Sequence, residues 1–164
     1  MNTSADLADP LVDVRYRAPA LAGSEVDYGL LADLTGFSVK LAWILGHGLL
    51  AREFGNSGIT PHRFSILEVI GQNPGLQQTQ LAAALALTRP ATTLAVDFWE
   101  ERGCVERRKI AGARRSFGVY PTTHGKRERA RLQDLVRKAD AALTSGLSDA
   151  ETEELRRLLQ KIHK

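Results

Sequence analysis

Residues 74–108 read PGLQQTQLAAALALTRPATTLAVDFWEERGCVERR, and this stretch decides the fold. Its first part places leucines and alanines at helical spacing over 77–85, which predicts a short helix. Thr88 is a favourable N-cap residue, and the helix that follows it is predicted to run to Gly103. A short helix, a tight turn and a second helix together form a helix-turn-helix.

A β-hairpin is predicted directly after the second helix. Residues 104–110 alternate along an extended run, and residues 116–120 form a second extended run after the small residues Ala111, Gly112 and Ala113. A hairpin in this position is a wing. Residues 60–122 are therefore interpreted as a winged helix-turn-helix lobe that binds DNA.

The rest of the chain is predicted to be helical apart from its N-terminus. From Leu30, apolar residues recur every three or four positions and describe one long helix that ends at the turn 55–58. Thr60 and Pro61 open the next helix, and two more helices follow the hairpin, the last behind the capping box of Ser148 and Glu151. The expected fold is mainly α with a small β-wing, in the order α-α-α-α-β-β-α-α. The predicted parts are an extended or partly disordered arm over 1–29, the long first helix with dimerisation and linker roles over 30–59, the winged lobe over 60–122 and C-terminal dimerisation helices over 123–164.

Composition bounds the class of protein. The chain has 164 residues, 43% hydrophobic and 25% charged, which is typical of one globular domain, and its single cysteine excludes an internal disulfide. The most apolar stretch, 41–51, is shorter than the roughly 20 residues that cross a bilayer, and the acidic N-terminus is unlike a secretory signal. We therefore expect a cytoplasmic protein with no membrane partner. Because the sequence shows no nucleophile motif, no paired catalytic carboxylates, no phosphate-binding loop and no metal-ligand spacing, we expect no enzymatic activity, cofactor or metal.

Positive charge is concentrated in one part of the chain. Residues 102–131 contain ten basic and two acidic side chains, whereas residues 1–60 contain four basic and seven acidic ones. The basic residues are Arg102, Arg107, Arg108, Lys109, Arg114, Arg115, Lys126, Arg127, Arg129 and Arg131. We assign this block to the hairpin. Alone it would be equally typical of a solvated face, but beside a helix-turn-helix it indicates binding to DNA phosphates.

Several segments resemble, in order and spacing, the MarR family of dimeric winged helix-turn-helix transcriptional regulators. They are TPHRFSILEVI (60–70), the stretch quoted above, ARRSFGVYPTTHGK (113–126) and LSDAETEELRRLLQKI (147–162). Ala113 stands where the family's wing has an aspartate, and Leu94 stands where the family's second helix commonly has a polar or basic residue. The resemblance implies a homodimer. In each subunit the second helix of the helix-turn-helix enters the major groove of DNA, and the wing contacts the minor groove. The resemblance also implies release from DNA by a small ligand.

The candidate DNA contacts follow from the chemistry of the bases and phosphates. Threonine and alanine can contact thymine methyl groups, and arginine can bind guanine or a phosphate. The two adjacent glutamines begin the first helix of the helix-turn-helix, where they would lie beside the DNA backbone. The predicted DNA-binding residues are Gln77, Gln78, Thr88, Arg89, Pro90, Ala91, Thr92, Thr93, Arg107, Lys109, Arg114 and Arg115. Some of the threonines would serve instead as caps or as surface residues.

A candidate effector site combines aromatic rings and cationic groups. Such a combination suits an aromatic acid or its thioester. The candidate residues are Trp43, His47, Arg52, Phe54, His62 and Arg63. The alternative reading of the aromatic members is ordinary core packing.

Three functions are therefore compared. The first is a homodimeric repressor, released from a palindromic operator with half-sites about 10 bp apart by an aromatic or carboxylate ligand. The second is a winged-helix module for protein contact without DNA. The third is a redox-sensing regulator that acts through Cys104, although a buried inert thiol is the simpler interpretation of that residue.

Overall fold

The computed structural model describes residues 27–110 and 116–162. It contains the eight predicted main elements in the predicted order. They are α1 (Thr35–Phe54), α2 (Pro61–Gln72), α3 (Gln78–Ala84), α4 (Arg89–Glu101), β1 (Val105–Lys109), β2 (Phe117–Pro121), α5 (Thr123–Leu143) and α6 (Asp149–Ile162). The mainly α fold with a small β-wing is therefore confirmed. The chain divides into two compact units, residues 1–48 and 49–164.

In the first unit, the predicted continuous helix from Leu30 is wrong at its start. A 3-10 turn over Gly29–Asp33 precedes α1, and Leu34 between them is extended, with φ −91° and ψ 118°. Thr35 and Gly36, which follow the break, are weak helix formers, so the periodic leucines do not make one rod. Most of the predicted arm lies outside the described residues.

In the second unit, local chemistry sets the ends of α2 as predicted. The hydroxyl of Thr60 accepts from the backbone N–H of Arg63 at 3.2 Å, and Pro61 occupies the first turn. Trp99 of α4 is fully buried, and its Nε1–H donates to the Arg63 carbonyl at 2.7 Å. This bond connects α4 to the first turn of α2. The core around it is built from Ile66, Leu67, Ile70, Leu81, Val96, Val105, Val119 and Leu132.

The helix-turn-helix consists of α3 and α4 joined by a short turn. Gln77 and Gln80 form a reciprocal capping box at the start of α3. Thr88 caps α4, accepting from the Ala91 N–H at 3.3 Å. Between the helices, Ala86 adopts a left-handed conformation with φ +51°. That conformation turns the chain tightly enough for α4 to pack against α3.

The two strands form an antiparallel hairpin in which Val105 is opposite Pro121 and Lys109 is opposite Phe117. Pro121 stands at the end of β2, where a missing N–H is tolerated. The stretch before α3 joins this sheet, since the Val119 N–H donates to the Leu76 carbonyl at 2.9 Å. Residues 111–115, which include Ala113, Arg114 and Arg115, lie outside the described residues.

Helix α5 begins close behind the hairpin. Thr122 is its N-cap: the hydroxyl accepts from the Gly125 N–H at 3.0 Å and donates to the Gly103 carbonyl at 2.6 Å. Lys126, Arg127, Arg129 and Arg131 therefore lie on α5, and assigning the whole basic block to the hairpin was wrong. Because the α5 cap follows directly after β2, the hairpin ends before the second half of the basic block begins.

Helix α6 starts at the predicted capping box. The Ser148 N–H donates to Glu151 Oε2 at 2.8 Å, and the Glu151 N–H donates back to the Ser148 hydroxyl at 3.4 Å. The helix leaves a row of half-exposed apolar side chains, namely Leu155, Leu158, Leu159 and Ile162. Over the described part of the chain, every helix is too short or too polar to span a membrane.

Candidate nucleic-acid interface

The N-terminal half of α4 exposes one face to solvent. Arg89, Pro90, Ala91 and Thr93 are exposed, and Leu94 is 52% exposed. The opposite face of the same helix carries Ala95, Val96 and Trp99 and is buried. The helix therefore presents one face to solvent and the other to the core, as a groove-reading helix requires. We refer to α4 as the recognition helix.

Thr92 does not belong to this exposed face. Its side chain is fully buried, and its hydroxyl donates to the Thr88 carbonyl at 3.0 Å. The predicted base contact of Thr92 is therefore wrong, because Thr92 lies on the same side of the helix as Val96 and Trp99. The spacing of 92, 96 and 99 was itself a signal of the buried face.

Gln78 of α3 lies between the recognition helix and the hairpin. Its side-chain amide is 3.5 Å from Thr93 Oγ1. With the amide oxygen turned toward Arg107, it accepts from Nη2 at 2.7 Å and from Nε at 3.3 Å. Gln78 therefore lies next to both Thr93 and Arg107. Gln77, one residue earlier, is half-buried as the α3 cap.

Arg107 was predicted to bind DNA, but it is engaged within the protein. Its guanidinium pairs with both Asp97 and Glu100 of the recognition helix, and only 23% of the side chain is exposed. Its backbone N–H also donates to Glu100 Oε1 at 3.2 Å. Its phosphate contact therefore stays a prediction, while in the structure Arg107 joins β1 to α4 through these ion pairs.

The cations that face outward from the described hairpin are its next two residues. Arg108 is exposed, lies 4.8 Å from the centre of the Tyr120 ring and pairs with Glu106. Lys109 is exposed near the end of β1. The sequence prediction named Lys109 and omitted Arg108. Because successive side chains of a strand point to opposite faces, Arg108 lies on the face opposite to that of the partly buried Arg107.

Comparison with known proteins agrees with this geometry. The family model for the MarR family matches residues 57–116. A transcriptional regulatory protein described as putative, for the hcr operon of Thauera aromatica, is 31% identical over 142 residues, which is 86% of each chain. The chain belongs to the MarR family.

Solved structures of this family of winged helix-turn-helix transcriptional regulators are similar over most of the chain. The transcriptional repressor CouR bound to a 23-mer DNA duplex is 30% identical and has a TM-score of 0.80, covering 86% of this chain and 100% of that one. CouR bound to p-coumaroyl-CoA is 27% identical with a TM-score of 0.75, covering 85% and 99%.

Not all of the basic block on α5 is available to a partner. Arg129 lies across Gly71 of α2, where any larger residue would overlap it, and its Nη1 is 3.7 Å from Glu68 Oε1. Arg131 pairs with Glu128 at 2.7 Å, and this bond lowers the pKa of Glu128. A charge count along this MarR-family sequence therefore overstates the cations that face DNA.

The aromatic members of the candidate effector site have different environments. In the first unit, the rings of Trp43 and His47 are 5.3 Å apart, and Trp43 is 54% exposed. In the second unit, Phe54 is buried and packs against Phe64, with ring centres 6.2 Å apart. The prediction of Phe54 as a ligand contact is corrected, because its ring is part of the core.

The cationic members of the candidate effector site belong to the second unit. Arg63 stacks on Phe98, 4.0 Å from the ring centre, and donates to the Gly58 carbonyl. Burial, and then the charge of Arg102, lower the pKa of Arg63. Arg52 is exposed near the end of α1, and His62 lies in the first turn of α2. Their effector role remains a prediction.

Cys104 is buried, with only 1% of its surface exposed. Burial is the main cause that raises the pKa of its thiol, so the thiolate that redox chemistry requires is disfavoured. Its Sγ–H faces the Arg102 carbonyl at 3.8 Å. Within the described ranges, no cluster of three or more histidine, cysteine, aspartate or glutamate side chains could hold a metal ion.

Proposed function

We propose that this MarR-family chain is a cytoplasmic, homodimeric repressor that binds a palindromic operator and is released by an aromatic acid or its thioester. One observation carries the DNA part of the proposal. The exposed half of α4 presents Arg89, Ala91, Thr93 and Leu94 to solvent, and Arg107 joins this helix to the basic strand β1. Similarity to CouR, whose structure was solved on a DNA duplex, supports the same use of this face.

Each part of this face has a distinct role. Arg89 binds guanine or a phosphate at the start of the recognition helix, and Thr93 contacts a base edge or a phosphate beside Gln78. Lys109 and Arg108 contact phosphates that flank the major groove. Arg114 and Arg115 contact the minor groove, because arginine suits the narrow, negative A·T tracts.

Dimerisation is proposed from the apolar surface of α6. Leu155, Leu158, Leu159 and Ile162 recur at helical spacing, and all remain at least 37% exposed in the single chain. A contiguous apolar row of this kind is costly in water and is typical of an interface. In a two-fold dimer the same row meets its own copy, and the two recognition helices are held about one DNA turn apart.

The effector part of the proposal rests on fewer residues than the sequence suggested. In the first unit, Trp43 offers an exposed aromatic face next to His47. In the second unit, Arg52, His62 and Arg63 are the candidate cationic or hydrogen-bonding groups. CouR, solved with p-coumaroyl-CoA, supports an aromatic thioester as the ligand class. Ligand binding and DNA binding oppose each other. A ligand that favours a spacing of the recognition helices different from the one DNA requires weakens binding to DNA.

The proposal is tested by fluorescence anisotropy with DNA from upstream of the protein's own gene, at two salt concentrations. We expect selective binding that weakens as salt rises, with Arg89→Ala losing about tenfold in affinity. Arg137→Ala is the matched control, because it removes the same charge from an exposed site on α5. Loss of equal size in both variants would exclude a specific role for Arg89.

Two additions separate the other functions. Light scattering should give twice the 18.0 kDa chain mass for the dimer. Benzoic, salicylic and p-coumaric acids and their CoA thioesters are then added to the DNA complex, and one of them should release it. If no compound weakens DNA binding, the regulator proposal stands and the effector proposal is rejected. If the protein shows no sequence-selective DNA binding, a protein-interaction module is favoured.

A further inference from the structure

Three exposed residues in the first two turns of the recognition helix have no hydrogen-bonding group in their side chains. Pro90, Ala91 and Leu94 form one apolar strip, because residues three and four positions apart are neighbours on a helix. Leu94 is its largest member and extends into solvent from the second turn. Thr88, at the N-cap, uses its hydroxyl to accept from the Ala91 N–H. Base contacts from this strip must therefore be largely apolar.

The polar neighbours of the strip are already engaged. Asp97 lies one turn beyond Leu94, and its carboxylate is paired with Arg107 together with that of Glu100. This ion pair offsets the negative charge of Asp97 and so weakens its attraction for the N4 amino group of cytosine. On the other flank, the hydroxyl of Thr93 lies 3.5 Å from the side-chain amide of Gln78. The environment of Leu94 therefore disfavours the polar edge of a G·C pair.

The apolar group that the major groove offers is the C5 methyl of thymine. We infer that Leu94, together with Ala91 and Pro90, contacts thymine methyl groups and so makes Leu94 a specificity-determining residue of the operator half-site. This inference rests on the proposed DNA-binding function and adds the chemistry that is recognised. A thymine in each half-site then faces the second turn of α4.

The inference is tested with DNA that the protein selects itself. Duplexes enriched by the wild-type protein from a random-sequence library are sequenced, and each thymine of the consensus is replaced in turn by uracil. Uracil keeps the hydrogen-bonding groups and removes only the methyl group. We expect affinity to fall about fourfold at one or two positions in each half-site, the value for one buried methyl group.

Two variants assign that loss to Leu94. Leu94→Ala should lose less than twofold at the same positions, because the contacting side chain is gone. Leu94→Met keeps an apolar side chain of similar size and should keep the sensitivity. Both variants should fold, since the site is half-exposed and alanine and methionine are good helix formers.

The outcomes separate this inference from the function on which it rests. The methyl contact is overturned if replacing thymine by uracil lowers the affinity of Leu94→Ala as much as that of the wild type. It is also overturned if the replacement leaves the affinity of the wild type unchanged at every thymine. In both cases the repressor proposal stands. If no sequence is enriched from the library, both are overturned.

Discussion

Arg107, on β1, and Asp97, in the middle of the recognition helix, form an ion pair that joins the hairpin to the helix-turn-helix. Glu100, one turn further along α4, completes the arrangement by pairing with the same guanidinium. Gln78 of α3 faces the guanidinium from the third side. One side chain thus connects the three elements that the proposed interface uses.

Loss of Arg107 should weaken DNA binding because it leaves two uncompensated carboxylates on the recognition helix. We expect Arg107→Gln to lower operator affinity by about tenfold, while the free energy of unfolding changes by about 1 kcal/mol, since the partners are half-exposed. The matched background is Asp97→Asn with Glu100→Gln. Adding Arg107→Gln there should cost less than threefold. A loss that is as large in the neutral background would mean that Arg107 contacts DNA itself.

The adjacent threonines of α4 should respond in opposite ways. Thr92→Ala removes a fully buried side chain, and we expect a loss of about 1 to 2 kcal/mol in unfolding free energy with little change in DNA affinity per folded molecule. Thr93→Ala alters an exposed residue and should lower DNA affinity with little effect on stability. Denaturant unfolding and anisotropy on both variants measure the two effects. Equal stability losses would contradict the assigned helix faces.

Gly125 should be intolerant of any side chain. A Cβ atom there would overlap the carbonyl oxygen of Cys104, where the start of α5 packs against the chain entering β1. We expect Gly125→Ala to destabilise the protein by about 3 kcal/mol or more. Gly48→Ala is the control, because a Cβ atom there meets no described residue within 4 Å, and replacing a helical glycine by alanine should stabilise the protein by up to about 1 kcal/mol. Thermal unfolding of the two variants decides the point.

The cap of α6 should be sensitive to acid. Hydrogen bonds from the Ser148 backbone N–H and hydroxyl lower the pKa of Glu151. A carboxyl group whose folded pKa is depressed stabilises the fold at pH values above its unfolded pKa, about 4.3, and that contribution is lost as pH falls through the folded value. NMR titration should find the pKa of Glu151 below that of a free glutamate. Ser148→Ala removes the hydroxyl bond but keeps the backbone N–H, so it should raise the pKa of Glu151 only part of the way toward the ordinary range. A wild-type Glu151 that titrates like a free glutamate would show that the cap does not form in solution.

Much of this fold could be predicted because its determinants are local. Thr60 and Thr88 cap their helices through contacts three residues away, and Ser148 and Glu151 bond to each other. The break at Leu34 was missed because the apolar periodicity continues through it. The helix is interrupted there by an extended residue that is followed by two weak helix formers.

The candidate site divides in the same way. The recognition helix and its exposed Arg89, Ala91 and Thr93 could be read from the sequence, since a cap and a 3.6-residue period define which residues share a face. The role of Arg107 could not, because charge along the chain does not show which carboxylates a strand will meet. Phe54 was likewise assigned to a ligand, although its ring packs on Phe64.

The sequence by itself therefore determined the family, the order of helices and strands, and the identity of the recognition helix. These depend on hydrogen bonds and apolar spacing within a few residues of one another. Tertiary structure alone decided that Arg107 serves Asp97 and Glu100, that Gly125 must lack a side chain, and that Arg129 lies against α2. The physical reason is that ion pairing and close packing depend on distances between elements, and those distances exist only once the core has brought the elements together.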